Sequence, residues 1–238
     1  MNNSNKTSSQ IRKIKKAYDA SVDRYNSHIE DESLLPEEFK DSERYKKLKK
    51  TLQSVSFDSD NPEIKKYLNP KSNMNFLDVG SCANLVVTQL HHWPSTYYGI
   101  DISPKLIQVT RNYVLRNNIK KVGGLYVTEV AKMPFENNFF NICAVIGVLE
   151  YFDIEYIKKS FKELHRVLKS DAKMVIDMPN QNHPDVNTMI ELEEYLGRPR
   201  HKLPTNRQFE EELKKLFLIE RVDDSKIMKA YFVRAKKK

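Results

Sequence analysis

Between residues 75 and 178, short runs rich in Val, Ile and Phe alternate with amphipathic stretches. That alternation restricts the chain to an α/β fold, a mostly parallel sheet covered on both faces by helices. Strands are expected at 75–80, 96–101, 124–130, 140–148 and 173–178, with helices near 84–92, 103–117 and 154–169. The last of these helices sets Ile157, Phe161, Leu164 and Leu168 on one face. After residue 205 the order changes. A helix around 206–217 leads into two runs, 217–222 and 230–234, close enough to pair as an antiparallel hairpin. The expected sheet therefore has seven strands.

What precedes this core reads as an addition to it. Residues 1–10 are polar and are expected to be disordered. Residues 11–70 read as a helical extension, with Ile11, Ile14, Tyr18, Val22 and Tyr25 spaced by three and four, then Tyr45, Leu48, Leu52 and Val55. Breakers at 58–62 and 69–73 separate the extension from a main domain at 71–238. Residues 179–205 hold Pro179, Pro184, Pro199 and Pro204 around a short helical piece near 186–196. An irregular insertion at the carboxyl end of a strand is expected on the substrate side.

Composition narrows the partners. At 238 residues and 39% hydrophobic content, one domain can bury a sizeable core. The longest apolar run, Ile142 to Leu149, is too short to cross a bilayer, and no leader segment is read at the N-terminus, so a cytoplasmic protein without membrane contact is expected. Cys82 and Cys143 have no metal-ligand spacing, so no metal is expected. The net charge of +8 divides as +2 over residues 1–70, −1 over 71–197 and +7 over 198–238. Such an excess suits an anionic small molecule or a nucleic acid.

A parallel sheet of this kind binds its ligand at the carboxyl ends of its strands. The first strand ends in Asp78-Val79-Gly80, where glycine permits a sharp turn and a close backbone approach. Asp101 ends the second strand 23 residues later, placed to accept hydrogen bonds from a ribose. Four segments occur in order: Phe76 to Gly80, Tyr98 to Asp101, Glu129 to Phe135, and Leu164 to Lys169. Together they resemble the class I S-adenosylmethionine-dependent methyltransferases, with a type 11-like methyltransferase domain. The resemblance covers about residues 74–178 plus the C-terminal helix and hairpin, and implies a Rossmann-like doubly wound sheet.

It also implies a cofactor site for S-adenosylmethionine, which leaves as S-adenosylhomocysteine. Asp78, Gly80, Ser81 and Cys82 would form the first loop, Asp101 and Ile102 the ribose end, Glu129 and Val130 the adenine end, and Gly147 the close of the fourth strand. Tyr18 and Tyr25 would touch the cofactor from an N-terminal lid. The sequence departs from the family where glycines are usual: Cys82 and Asn84 stand in the first loop, and Asp171-Ala172 before the fifth strand. Asn141 replaces a more usual aspartate.

Methyl transfer is an in-line displacement that needs alignment and, for some acceptors, a base. His183, Glu150 and Tyr151 are the catalytic candidates: His183 follows the fifth strand, and the other two follow the fourth. Arg198, Arg200 and His201 are candidates for holding an acceptor carboxylate or phosphate. The preferred reading is methylation of an oxygen or nitrogen on a small molecule, with a lid formed by the extension and the insertion. An RNA methyltransferase and a catalytically silent binding protein on the same scaffold are the rivals, and the oligomeric state is open.

Overall fold

The structure is a computed structural model and describes residues 3–54, 62–81, 92–199 and 203–238. Seven strands form one sheet: β1 (Asn75–Val79), β2 (Thr96–Asp101), β3 (Val122–Val127), β4 (Phe140–Val145), β5 (Leu168–Pro179), β6 (Phe217–Asp223) and β7 (Met228–Ala235). Their order across the sheet is β3-β2-β1-β4-β5-β7-β6. The first five are parallel, and β7 runs antiparallel to both β5 and β6. This is the Rossmann-like arrangement with a C-terminal antiparallel hairpin that the sequence implied.

Side chains two apart along a strand share a face, and each central strand divides accordingly. Leu77, Cys143, Val145, Met174, Ile176, Tyr231 and Val233 enter one apolar layer. Phe76, Ile142, Ala144, Val175 and Phe232 enter the other, with Trp93 and Tyr97. Cys143 is a buried member of the first layer, and burial pushes its thiol up, which suits a small apolar filler. Cys82 and the expected helix at 84–92 fall largely outside the described residues.

Helices α1 (Asn3–Asn26), α2 (Glu37–Asp41), α3 (Glu43–Ser54), α4 (Pro62–Leu68), α5 (Pro104–Arg116), α6 (Ile154–Val167), α7 (Val186–Tyr195) and α8 (Asn206–Leu216) surround the sheet. Several begin on side-chain caps. Ser103 accepts the Leu106 N–H at 3.0 Å, and Asp153 accepts the Tyr156 N–H at 3.0 Å. Thr205 and Gln208 form a capping box on α8. Ile107 of α5 packs on one face of the sheet; Phe161 of α6 and Phe209 of α8 pack on the other.

Two departures from the family's usual residues are absorbed locally. Asp171 takes φ +62 where a glycine is usual, a conformation its short polar side chain tolerates better than most. Asn141 accepts the Asn75 N–H at 3.0 Å and a Lys169 ammonium hydrogen at 3.2 Å, tying the starts of β1, β4 and β5 together.

Residues 3–10 correct the expectation of disorder. They continue α1 as helix, since neither Gly nor Pro interrupts the chain between residues 1 and 35. The extension and the insertion also meet. Leu35, Phe39, Tyr45 and Leu48 form an apolar cluster with Met189, Leu192, Tyr195 and Leu196. Arg44 binds both carboxylate oxygens of Glu191, one at 2.8 Å, and Thr51 donates to Asp185 at 3.1 Å.

Candidate active site

A cavity of about 450 Å³ opens over the carboxyl ends of β1, β2 and β4, within the size range of small-molecule sites. Val79 and Gly80 line it from β1, Ile100, Asp101 and Ile102 from β2, and Ile146 to Val148 from β4. Ile14, Tyr18 and Ser21 of α1 roof it. Tyr151, Phe152 and Tyr156 close the far side. A second hollow of about 510 Å³ adjoins it at Ile102 and Thr128 and is lined by Glu129, Lys132 and the start of α1.

The β1 end fits a close ligand. Gly80 has φ +76, and a Cβ there would stand 2.7 Å from Val148 Cγ2, so glycine is required twice over. Asp78 is fully buried beneath this turn and accepts the Tyr97 hydroxyl at 2.5 Å. It supports the loop and is not a lining residue of the cavity. Ser81 is also fully buried, its Oγ close against Gly99 beneath the sheet. That removes the Ser81 side chain from the expected contact set.

Asp101 faces the cavity at the end of β2 and accepts the Ser103 N–H at 2.8 Å. Burial raises its carboxyl to about 6, against two backbone donors that lower it; Asp19 adds a smaller push upward. Asp19 of α1 accepts the Ser103 hydroxyl at 2.5 Å, so the roof is tied to the strand that carries Asp101. Val130 lines the main cavity, and Glu129 faces the outer hollow, where its carboxylate accepts the Tyr156 hydroxyl at 3.3 Å. A carboxylate at a strand end, a glycine the backbone cannot replace, and an apolar slot between Ile102, Leu106 and Val130 fit the ribose, methionine and adenine parts of S-adenosylmethionine.

The opposite end is built from side chains far apart in sequence. Tyr18 and Tyr151 share a hydrogen bond of 3.0 Å between their hydroxyls. Tyr151 is also 2.9 Å from Glu193 of α7, which pairs with Arg198. The Arg198 guanidinium lies over the Tyr18 ring, 4.8 Å from its centre. Gln10 of α1 donates to the Tyr151 carbonyl. Burial pushes the Tyr18 hydroxyl up to about 12 and raises the Tyr151 hydroxyl well above its ordinary value, so both remain neutral donors near neutral pH. Behind Tyr151, Glu150 has one carboxylate oxygen buried with no hydrogen-bond partner among the described residues.

Several expectations change. Tyr25 is 79% exposed and is not a lining residue, because seven residues of helix carry it about 10 Å beyond Tyr18. His183 is half-buried in a turn where its Nδ1 accepts the Asp185 N–H at 3.2 Å, away from the cavity lining. Its ring therefore serves the start of α7 and is not placed as a base. Arg198 spends its charge on Glu193 and Tyr18, which takes away the free cation that an anion clamp needs. Cys82, Arg200 and His201 lie outside the described residues. Asp177, Ser21, Tyr156 and Glu193 were missed. Asp177 alone carried a visible signal, a single acid inside the apolar run 174–178.

A family model described as a methyltransferase domain matches residues 77–176. A sterol 4-C-methyltransferase of Caenorhabditis elegans is 25% identical over 143 residues, which are 57% of this chain and 42% of that protein. The match thus spans less than half the length of that curated relative. Among solved structures, a geranyl diphosphate C-methyltransferase from Streptomyces coelicolor A3(2), in complex with S-adenosyl-L-homocysteine, Mg2+ and geranyl diphosphate, shares the fold at TM-score 0.60 and 13% identity, covering 78% of this chain and 80% of that one. A SAM-dependent methyltransferase from Methanosarcina mazei does so at TM-score 0.59 and 20% identity, covering 74% and 97%.

Proposed function

Residues 77–176 belong to the class I S-adenosylmethionine-dependent methyltransferases, and from that premise we propose that the protein methylates a small molecule with a largely apolar body. S-adenosylmethionine is its cofactor, and when bound it supplies a methyl group activated on a sulfonium. The observation that carries the reading is the roofed cavity, continuous from Gly80 and Asp101 to the tyrosines at its far end. Gly80 lets the backbone approach, Asp101 orients the ribose through its carboxylate, and the roof of α1 excludes water. Tyr18 and Tyr151 then position the acceptor with neutral hydroxyls.

The names of the relatives add carbon to the oxygen and nitrogen acceptors expected from the sequence. RNA finds less support than the net charge suggested. In the basic C-terminal stretch, Arg207 pairs with Glu211 at 2.9 Å, Lys215 with Glu212 at 2.7 Å, Lys229 with Glu210 at 3.1 Å and Arg234 with Glu220 at 2.7 Å. Those cations are dispersed among acids rather than gathered into a track for phosphates. The test is incubation with methyl-labelled S-adenosylmethionine and, separately, a small-molecule extract and total RNA. Label in the small-molecule fraction supports the reading; label in RNA alone contradicts it.

A further inference from the structure

Among the described residues, Tyr151 alone lines both the main cavity and a small chamber of about 40 Å³. The chamber lies between the end of β5 and α7, and Pro179, Met189, Ile190 and Leu203 give it a largely apolar wall. It has room for about three water-sized groups. The Tyr151 hydroxyl joins one residue of each space. It is 3.0 Å from the hydroxyl of Tyr18, which lines the main cavity, and 2.9 Å from the carboxylate of Glu193, which lines the chamber. The Tyr151 side chain therefore stands as the partition between the two.

The partition is fixed from several directions. Tyr18 meets the Tyr151 ring edge-on, with centres 6.2 Å apart and planes at 81°. Gln10 of α1 donates to the Tyr151 carbonyl, and Arg198, paired with Glu193, covers the Tyr18 ring. Tyr151 itself is only 7% exposed. Turning its ring aside would break both hydroxyl bonds in buried surroundings, so the ring keeps its place against a ligand. Resting on the methyltransferase reading, we propose that Tyr151 determines acceptor specificity by setting the length of apolar body the site takes. The acceptor ends against this side chain, and the chamber behind it is acceptor space that the protein keeps closed off. Each methylene added short of the partition is buried and tightens binding about fourfold. A methylene added beyond that length has no space to enter and gains nothing.

The experiment is calorimetry on the full chain saturated with S-adenosylhomocysteine, using straight-chain primary alcohols from butanol to decanol as probes. In the wild type, affinity is expected to rise about fourfold per methylene and then stop within the series. Tyr151→Ala is expected to extend the rise by about three methylenes or more, because the chamber joins the cavity. Adding Ile190→Phe, which fills the chamber, is expected to bring the limit back. Tyr151→Leu gives a shift in the same direction should the alanine variant not fold, and the wild-type series needs no variant at all. A rise that continues through decanol in the wild type overturns the proposal. So does no binding of any alcohol, a limit unmoved by removing the ring, or an extension that Ile190→Phe leaves intact. Failure of S-adenosylhomocysteine itself to bind would instead sink the methyltransferase reading, and this proposal with it.

Discussion

The cofactor end of the cavity is made from strand termini. Gly80, Asp101 and Ile102 stand at the ends of two adjacent parallel strands, and Val130 lies just past the third. The acceptor end is made from contacts between elements far apart in the chain: Tyr18 of α1 with Tyr151, Tyr151 with Glu193, and Asp177 with the Gly147 amide. The first end depends on backbone geometry that a parallel sheet supplies by construction. The second depends on how α1 and α7 happen to dock. One fold can therefore keep its cofactor while changing its acceptor, because the two ends do not share their supports.

The largest expected effect falls on the strand-built end. Gly80→Val should destabilise the protein by about 2–4 kcal/mol, from the left-handed backbone and the collision with Val148. Urea unfolding measures it, and an unchanged midpoint would mean the turn is not rigid. Next comes pH. The carboxyl of Asp101 lies at about 6, and the carboxylate is the form that accepts ribose hydroxyls. Acidification protonates it, so S-adenosylhomocysteine affinity should fall about tenfold between pH 7 and pH 5. A flat profile in calorimetry would place the ribose elsewhere.

Smaller effects probe the contact-built end. Tyr18→Phe removes the hydroxyl bond to Tyr151 and keeps the ring beneath Arg198. It should cost about 1 kcal/mol, seen as faster hydrogen exchange in α1, with cofactor-product affinity nearly unchanged. A large loss of that affinity would move Tyr18 to the cofactor end and break the division. Tyr25→Ala should change stability by no more than about 0.5 kcal/mol and leave binding alone, since the side chain is exposed. Any larger binding effect would restore the lid contact first expected of it.

The same division explains what the sequence disclosed. Strand positions, the Asp78-Val79-Gly80 turn and Asp101 were legible because alternation, glycine and a strand-end acid are local signals. Asn141 and Asp171 looked like departures and proved to be local solutions, a side-chain amide bridging three strands and an aspartate in a left-handed turn. Helical spacing put Tyr18 and Tyr25 on one face but could not say where the cavity ends along that face. His183 and Arg198 failed as predictions because their partners, the Asp185 amide and the Glu193 carboxylate, become visible only once α7 is folded.

The central claim is that strand ends, not the roof, hold the cofactor. Calorimetric titration of S-adenosylhomocysteine into the wild type and Asp101→Ala tests it most directly. Saturable binding to the wild type, weakened at least about thirtyfold in the variant, is the predicted result. No binding to the wild type, or equal affinity in both, would contradict it.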